Sequence, residues 1–123
     1  MRAAALALLL AGAALAETAL PSGLEVTRHD ALVETQPGGE TWLVLRYLAP
    51  AIAGGAVGYD SVAPELDLLC ATEGLAEAAA AGEAVDQVLI VLMDRPVSRG
   101  VPDPEATQYL GAYRIDGGAC RWE

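Results

Sequence analysis

Seven consecutive residues, Gln87-Val88-Leu89-Ile90-Val91-Leu92-Met93, constrain this chain more than any other stretch. Only the first is polar, and Val88, Ile90 and Val91 are β-branched. The run is too short for an ordinary core helix and turn-forming residues follow it, so it reads as a strand. Its apolar side chains point both ways, which places it at the centre of a sheet.

The remaining elements arrange themselves around that strand. Leu24–Glu34 alternates in part, Gln36-Pro37-Gly38-Gly39-Glu40 supplies turn chemistry, and Glu40–Leu48 follows as a second strand, so the three form a hairpin. In the second strand Trp42, Val44, Arg46 and Leu48 share one face, while Leu43, Leu45 and Tyr47 share the other. Both faces are mostly apolar, which makes this strand internal as well. Residues 51–59 form a Gly/Ala loop. Asp60 or Ser61 then caps a helix of about ten residues with Pro64 in its first turn. Val62, Leu66, Leu69 and Cys70 make one apolar stripe on it. A second helical piece runs from Leu75 to Ala81 and stops at Gly82. Gln108–Ile115 alternates, with Tyr109, Gly111, Tyr113 and Ile115 on one side, and Asp116-Gly117-Gly118 turns into a closing strand, Ala119–Trp122. The order β-β-α-α-β-β-β predicts an α+β fold: an antiparallel or mixed sheet with one or two helices packed on one face.

Ahead of this domain, Arg2 is followed by an Ala/Leu run ending in Ala14-Leu15-Ala16. A basic start, a short apolar core and an Ala-x-Ala site are the parts of a signal peptide, here residues 1–16. The run falls short of the roughly 20 apolar residues that a membrane span needs. Residues 17–123 are then one domain's length, expected in the periplasm or outside the cell and not on a membrane after cleavage. The formal net charge is −10, with no Lys at all, and loss of Arg2 makes it one unit more negative. That balance excludes nucleic acid, whose binding is driven by clustered Lys and Arg, and anionic lipid surfaces; it permits basic partners and favours a soluble monomer. Two cysteines, Cys70 and Cys120, allow a single intramolecular pairing. They form no Cys-x-x-Cys redox pair, and with only His29 beside them they fall short of a four-ligand zinc set. A structural disulfide is expected, closing a loop of about 50 residues.

Candidate chemistry is sparse. Arg46 stands on an otherwise apolar strand face, where it grips a carboxylate or phosphate of a ligand, stacks on an aromatic ring, or pairs with a nearby acid at the core's edge. His29-Asp30 is the only His–acid neighbour pair, and in a regular strand its two side chains point to opposite faces. Asp94-Arg95-Pro96 and Arg99 lie in the loop after the central strand, where binding residues often sit on a rigid scaffold. Arg46, Asp94, Arg95 and Arg99 are therefore the candidate binding residues. There is no Gly-x-Ser-x-Gly, Walker loop, dinucleotide fingerprint or His-Glu-x-x-His, so no catalytic set, metal set or cofactor is assigned.

Gln36-Pro37-Gly38-Gly39-Glu40-Thr41-Trp42-Leu43, Arg46, Ala49-Pro50, Cys70, Asp94-Arg95-Pro96-Val97, Ala106-Thr107-Gln108 and Cys120-Arg121-Trp122-Glu123 carry a resemblance. With the Ala/Leu leader, the whole chain resembles an uncharacterised family of small exported bacterial proteins built on a domain of unknown function. The resemblance implies secretion and a paired Cys, and it implies no activity. Relatives of this kind sometimes carry an acetolactate-synthase label. The diphosphate-binding Gly-Asp-Gly motif that such an enzyme would need is absent from this sequence. The leading functional expectation is a non-enzymatic module that binds a protein or small ligand. The alternatives are a small hydrolase or isomerase working with acids and Arg, and metal handling through His29, Met93 and acids.

Overall fold

The computed structural model describes residues 18–123; the signal peptide expected over residues 1–16 lies outside them. Five strands form a mixed sheet: β2 (Glu25–Thr35), β3 (Thr41–Leu48), β4 (Gln87–Met93), β5 (Gln108–Asp116) and β6 (Ala119–Trp122). A two-residue strand, β1 (Thr18–Ala19), extends the sheet by pairing with Val26 and Glu25. The lead-in read as irregular thus joins the edge of the sheet. Strand order follows the chain from β1 to β6. Every neighbouring pair is antiparallel except β3 and β4, which are parallel. Parallel neighbours need a long crossover, and the helical segment between them supplies it.

β4 lies between β3 and β5, and all seven of its residues are buried, as its two apolar faces require. The expected α+β architecture holds, but the two expected helices are one rod, and a short 3-10 helix, Pro50–Gly55, opens the stretch read as a Gly/Ala loop. Helix α1 (Tyr59–Leu69) passes through a π-turn (Cys70–Gly74) straight into α2 (Leu75–Ala80), 22 residues in all. Gly74 keeps helical angles (φ −62°, ψ −47°) and so does not divide the rod. Its role is contact: a Cβ there would sit 3.1 Å from Val88 Cγ1 and 3.3 Å from Cys70 Sγ, so a side chain would crowd the approach of the helix to β4. The helix begins at Tyr59 with Gly58 as its N-cap and no side-chain cap, earlier than the Asp60 or Ser61 cap expected. Pro64 consequently falls in the second turn, where it forgoes one helical hydrogen bond. Tyr59 secures the early start by packing edge-on against Tyr109, with ring centroids 5.7 Å apart, and by donating to the Leu110 carbonyl at 3.3 Å.

The main core lies between helix and sheet. Val62, Leu66, Leu69 and Cys70 of the helix meet Leu43, Leu45 and Tyr47 of β3, Val88, Ile90 and Leu92 of β4, and Tyr113 of β5. Cys70, on the π-turn, is disulfide-bonded to Cys120 of β6, pinning the last strand to the helix (Cα–Cα 6.3 Å). Tyr113 donates to Asp67 Oδ1 at 2.7 Å; its ring folds back over Gly111, where a Cβ would lie 2.7 Å from the phenol oxygen. The opposite face of the sheet has no helix. There Val44, Leu89, Val91 and Met93 are covered by Val97 and Ala106 of the Asp94–Thr107 loop and, further along, by Trp42 and Leu32.

Candidate functional site

The helix-free face owes its polar content to one irregularity. Along β2 and β3, Arg28 pairs with Tyr47 but Asp30 pairs with Arg46, so His29 is an extra residue and the ladder carries a β-bulge. The bulge reverses the phase of β2. Before it, Val26 faces the helix-side core; after it, Asp30 and Leu32 lie on the opposite face with Arg46 and Val44. It also brings His29 Nε2 to 3.9 Å from Asp30 Oδ2, a proximity that regular alternation would forbid.

Arg46 is the anchor of this face. Its guanidinium, 7% exposed, donates from Nε to Asp30 Oδ1 at 2.8 Å and from Nη2 to Asp30 Oδ2 at 2.6 Å. Nη1 donates to the Val97 carbonyl at 2.6 Å. Of the three sequence readings of Arg46, the pairing with an acid is realised, and the same side chain clamps the loop onto the sheet. Two residues along that loop, Arg99 makes a second bidentate pair, with Glu34 at 2.8 and 2.9 Å. Between the two pairs lies a pocket of about 280 Å³ lined by Arg46, Val91, Val97, Ser98, Arg99, Gly100, Val101, Pro102 and Gln108. At and beside its rim Val101 is 58% exposed and Leu110 49% exposed.

The structure therefore brings Arg46 and Arg99 together and sets Asp94 and Arg95 apart. The Asp94 carboxylate closes the neck of the loop by accepting the Thr107 amide at 2.8 Å, and Arg95 folds back on Asp94 at 2.9 and 3.0 Å. Neither lines the pocket. Arg95 also lies 3.8 Å from Glu105, so it balances acid within its own loop.

Sequence reading did not find Val101 and Leu110, nor the acids that answer the arginines. It also did not find a network on the helix side. There Arg28 donates to Glu73 at 2.7 Å and Glu77 at 3.2 Å and lies over the Tyr47 ring at 5.3 Å, while the Tyr47 hydroxyl donates to Glu73 at 2.6 Å. Burial and the Glu73 carboxylate push the Tyr47 phenol up from its ordinary value, which keeps it a donor. The partners are 26 to 49 residues apart, so no local spacing announces them.

The Arg46 guanidinium holds the Asp30 carboxyl below its ordinary 3.8, and Arg99 holds Glu34 below 4.5. Both carboxyls are more acidic in the fold than in the unfolded chain. Their stabilisation is complete above those ordinary values and is lost as the pH falls through the lowered ones. Melting temperature should drop steeply below about pH 4. A thermal-denaturation series down to about pH 2 should show a shallower drop for Asp30→Asn with Glu34→Gln; equal slopes would show that these pairs do not drive acid unfolding.

A sequence model for a family of unknown function (DUF6497) matches residues 3–123. The chain belongs to that family. The DUF6497 match spans every strand and the helix, and it fulfils the resemblance carried by the Gln36–Leu43, Asp94–Val97 and Cys120–Glu123 segments. No curated protein and no solved structure matches this DUF6497 member.

Proposed function

We propose that this protein is an exported, non-enzymatic binding domain whose recognition surface lies where the Asp94–Thr107 loop meets the helix-free side of the sheet. The observation that carries the reading is the pairing of exposed Val101 and Leu110 with an adjoining pocket of about 280 Å³. The pocket is concave and mixes apolar Val91, Val97, Val101 and Pro102 with polar Arg46, Ser98, Arg99 and Gln108, so it offers both contact area and fixed polar groups to a side chain or small ligand. Its arginines are engaged by Asp30 and Glu34, so an apolar group can enter without stranding a charge. A proton-transfer role is less well supported. The two carboxyls are held as anions at neutral pH, and Ser98, the sole hydroxyl in the lining, has no histidine beside it there. Export is supported by the leader-like residues 1–16 and by the Cys70–Cys120 bond, since disulfides persist in oxidising compartments.

Leu110→Glu and Val101→Asp should each weaken partner binding at least about tenfold, equivalent to ~1.4 kcal/mol, with Arg95→Ala close to wild type. Biolayer interferometry against the partner recovered by cross-linking measures this. Loss of binding in Arg95→Ala with Leu110→Glu unaffected would move the recognition surface to the neck of the loop.

A further inference from the structure

We infer that the cavity at the end of the helix is a second binding site, separate from the loop-side surface, that takes a small amphiphile with an apolar chain and a positively charged head. The cavity holds about 420 Å³ and opens between α2, the connection at residues 81–86 and the β5–β6 hairpin. That volume lies within the range of small-molecule sites, roughly 300–1,000 Å³. Its origin is in the helix sequence. The side chains that α1 packs on the sheet are Val62, Leu66 and Leu69, but in α2 the packing passes to Ala78. Interiors are ordinarily filled, and Ala78 with Ala79 leaves open the space that larger side chains close along α1.

The lining selects an apolar chain. Leu75, Ala78 and Ala79 contribute from one side of the helix, Ile115 from β5 and Val85 from the connection. The disulfide holds the two main walls together. Cys120 is the register partner of Ile115 across the hairpin, and Cys70 stands on the π-turn that leads into Leu75. Walls fixed in this way need no ordering when a ligand enters, which lowers the cost of binding.

Charge selects the head group. Glu83 is the sole charged residue in the lining, it is exposed, and its carboxylate has no hydrogen bond or ion pair among the described residues. None of the arginines answers it. Arg28 is held by Glu73 and Glu77. Arg46, Arg95 and Arg99 belong to the loop side and are bound to Asp30, Asp94 and Glu34. Tyr113 and Ile115 face the helix, so Arg114, and Arg121 opposite it, face the other way, where Glu40, Glu123 and Asp116 take them. The chain has no Lys, and its single His, His29, stands on β2 across the sheet. A cationic head at the mouth of the cavity therefore meets an unopposed carboxylate on an acidic protein, and an anionic head is repelled.

Isothermal titration calorimetry on the disulfide-bonded protein tests this with decyltrimethylammonium and decyl sulfate, which share one chain and carry opposite charges, both below their micellar range. Decyltrimethylammonium should bind at one site per chain and more tightly than decyl sulfate. Ala79→Trp and Ala84→Trp, at exposed positions in the lining, should plug the cavity and weaken that binding at least about tenfold. Glu83→Gln should weaken it about two- to fivefold, the size of one exposed ion pair, and Glu83→Lys should remove the preference for the cation. Glu105→Gln takes an exposed acid from the loop on the other side and should change nothing. Circular dichroism of each variant separates lost binding from misfolding. No binding of decyltrimethylammonium, or binding that both tryptophan variants leave intact, overturns the site. Decyl sulfate bound as tightly as the cation, or an unchanged preference in Glu83→Lys, overturns the ligand class.

Discussion

Replacing both cysteines, as Cys70→Ser with Cys120→Ser, should lower the free energy of unfolding by about 4 kcal/mol. The bond joins residues 50 apart, so in the chain-entropy view it removes a large share of the unfolded chain's freedom. It also acts where non-covalent support is thin. β6 has four residues, lies at the edge of the sheet and pairs only with β5. Beyond that pairing it is held by Trp122 packing on Tyr113 and by the adjoining Glu123, which accepts from Arg114 and from Gln87. A loss of this size is comparable with the whole stability of many small domains, so the variant should unfold tens of degrees below wild type. Urea titration under matched conditions measures it, and wild type in strong reductant should match the double variant. A loss below about 1 kcal/mol would show that the unfolded chain keeps Cys70 and Cys120 close without the bond.

The second large effect belongs to the bulged pair. Asp30→Ala strips both charged hydrogen bonds from the buried Arg46 guanidinium and leaves it with the Val97 carbonyl and a long contact to Met93 sulfur. Breaking a buried pair from one side typically costs about 3–5 kcal/mol, because the remaining charge stays desolvated. Asp30 is partly exposed at 28%, so the lower end of that range applies, about 3 kcal/mol. Arg46→Met should cost less than Asp30→Ala, and the two together less than the sum of the singles, because the pair is a unit. A double-mutant cycle by urea denaturation reads this coupling. Additive losses, or Asp30→Ala within about 0.5 kcal/mol of wild type, would show that Arg46 does not depend on Asp30.

The sequence legibly encoded what is decided by one strand or one helix turn. Gln87–Met93 and Thr41–Leu48 are apolar on both faces, and the fold places them side by side at the centre of the sheet. The stripe Val62, Leu66, Leu69 and Cys70 faces the core, and the two cysteines pair as expected. Phase and distance escaped. Leu24, Val26 and Leu32 share one parity, so alternation alone puts them on one face; the extra residue at His29 sends Leu32 to the other. No residue near His29 signals a bulge, because its physical cause is the pairing of Arg28 with helix-side acids and of Asp30 with Arg46, on opposite sides of one strand. Of the four candidate binding residues, Arg46 and Arg99 converge and Asp94 and Arg95 close the loop's own neck. That division depends on how the loop folds back across the sheet, which local composition does not fix. Val101 and Leu110 look like ordinary loop and strand residues until the helices prove to lie all on the other side.

The most direct test of the account places a photo-crosslinking benzoylphenylalanine at Val101 and, separately, at Ala79 on the helix, followed by irradiation in the exported fraction and mass analysis of the products. The account predicts efficient adducts from position 101 and little from position 79. Adducts confined to position 79, with none from position 101, would contradict it and move recognition to the acidic helical side.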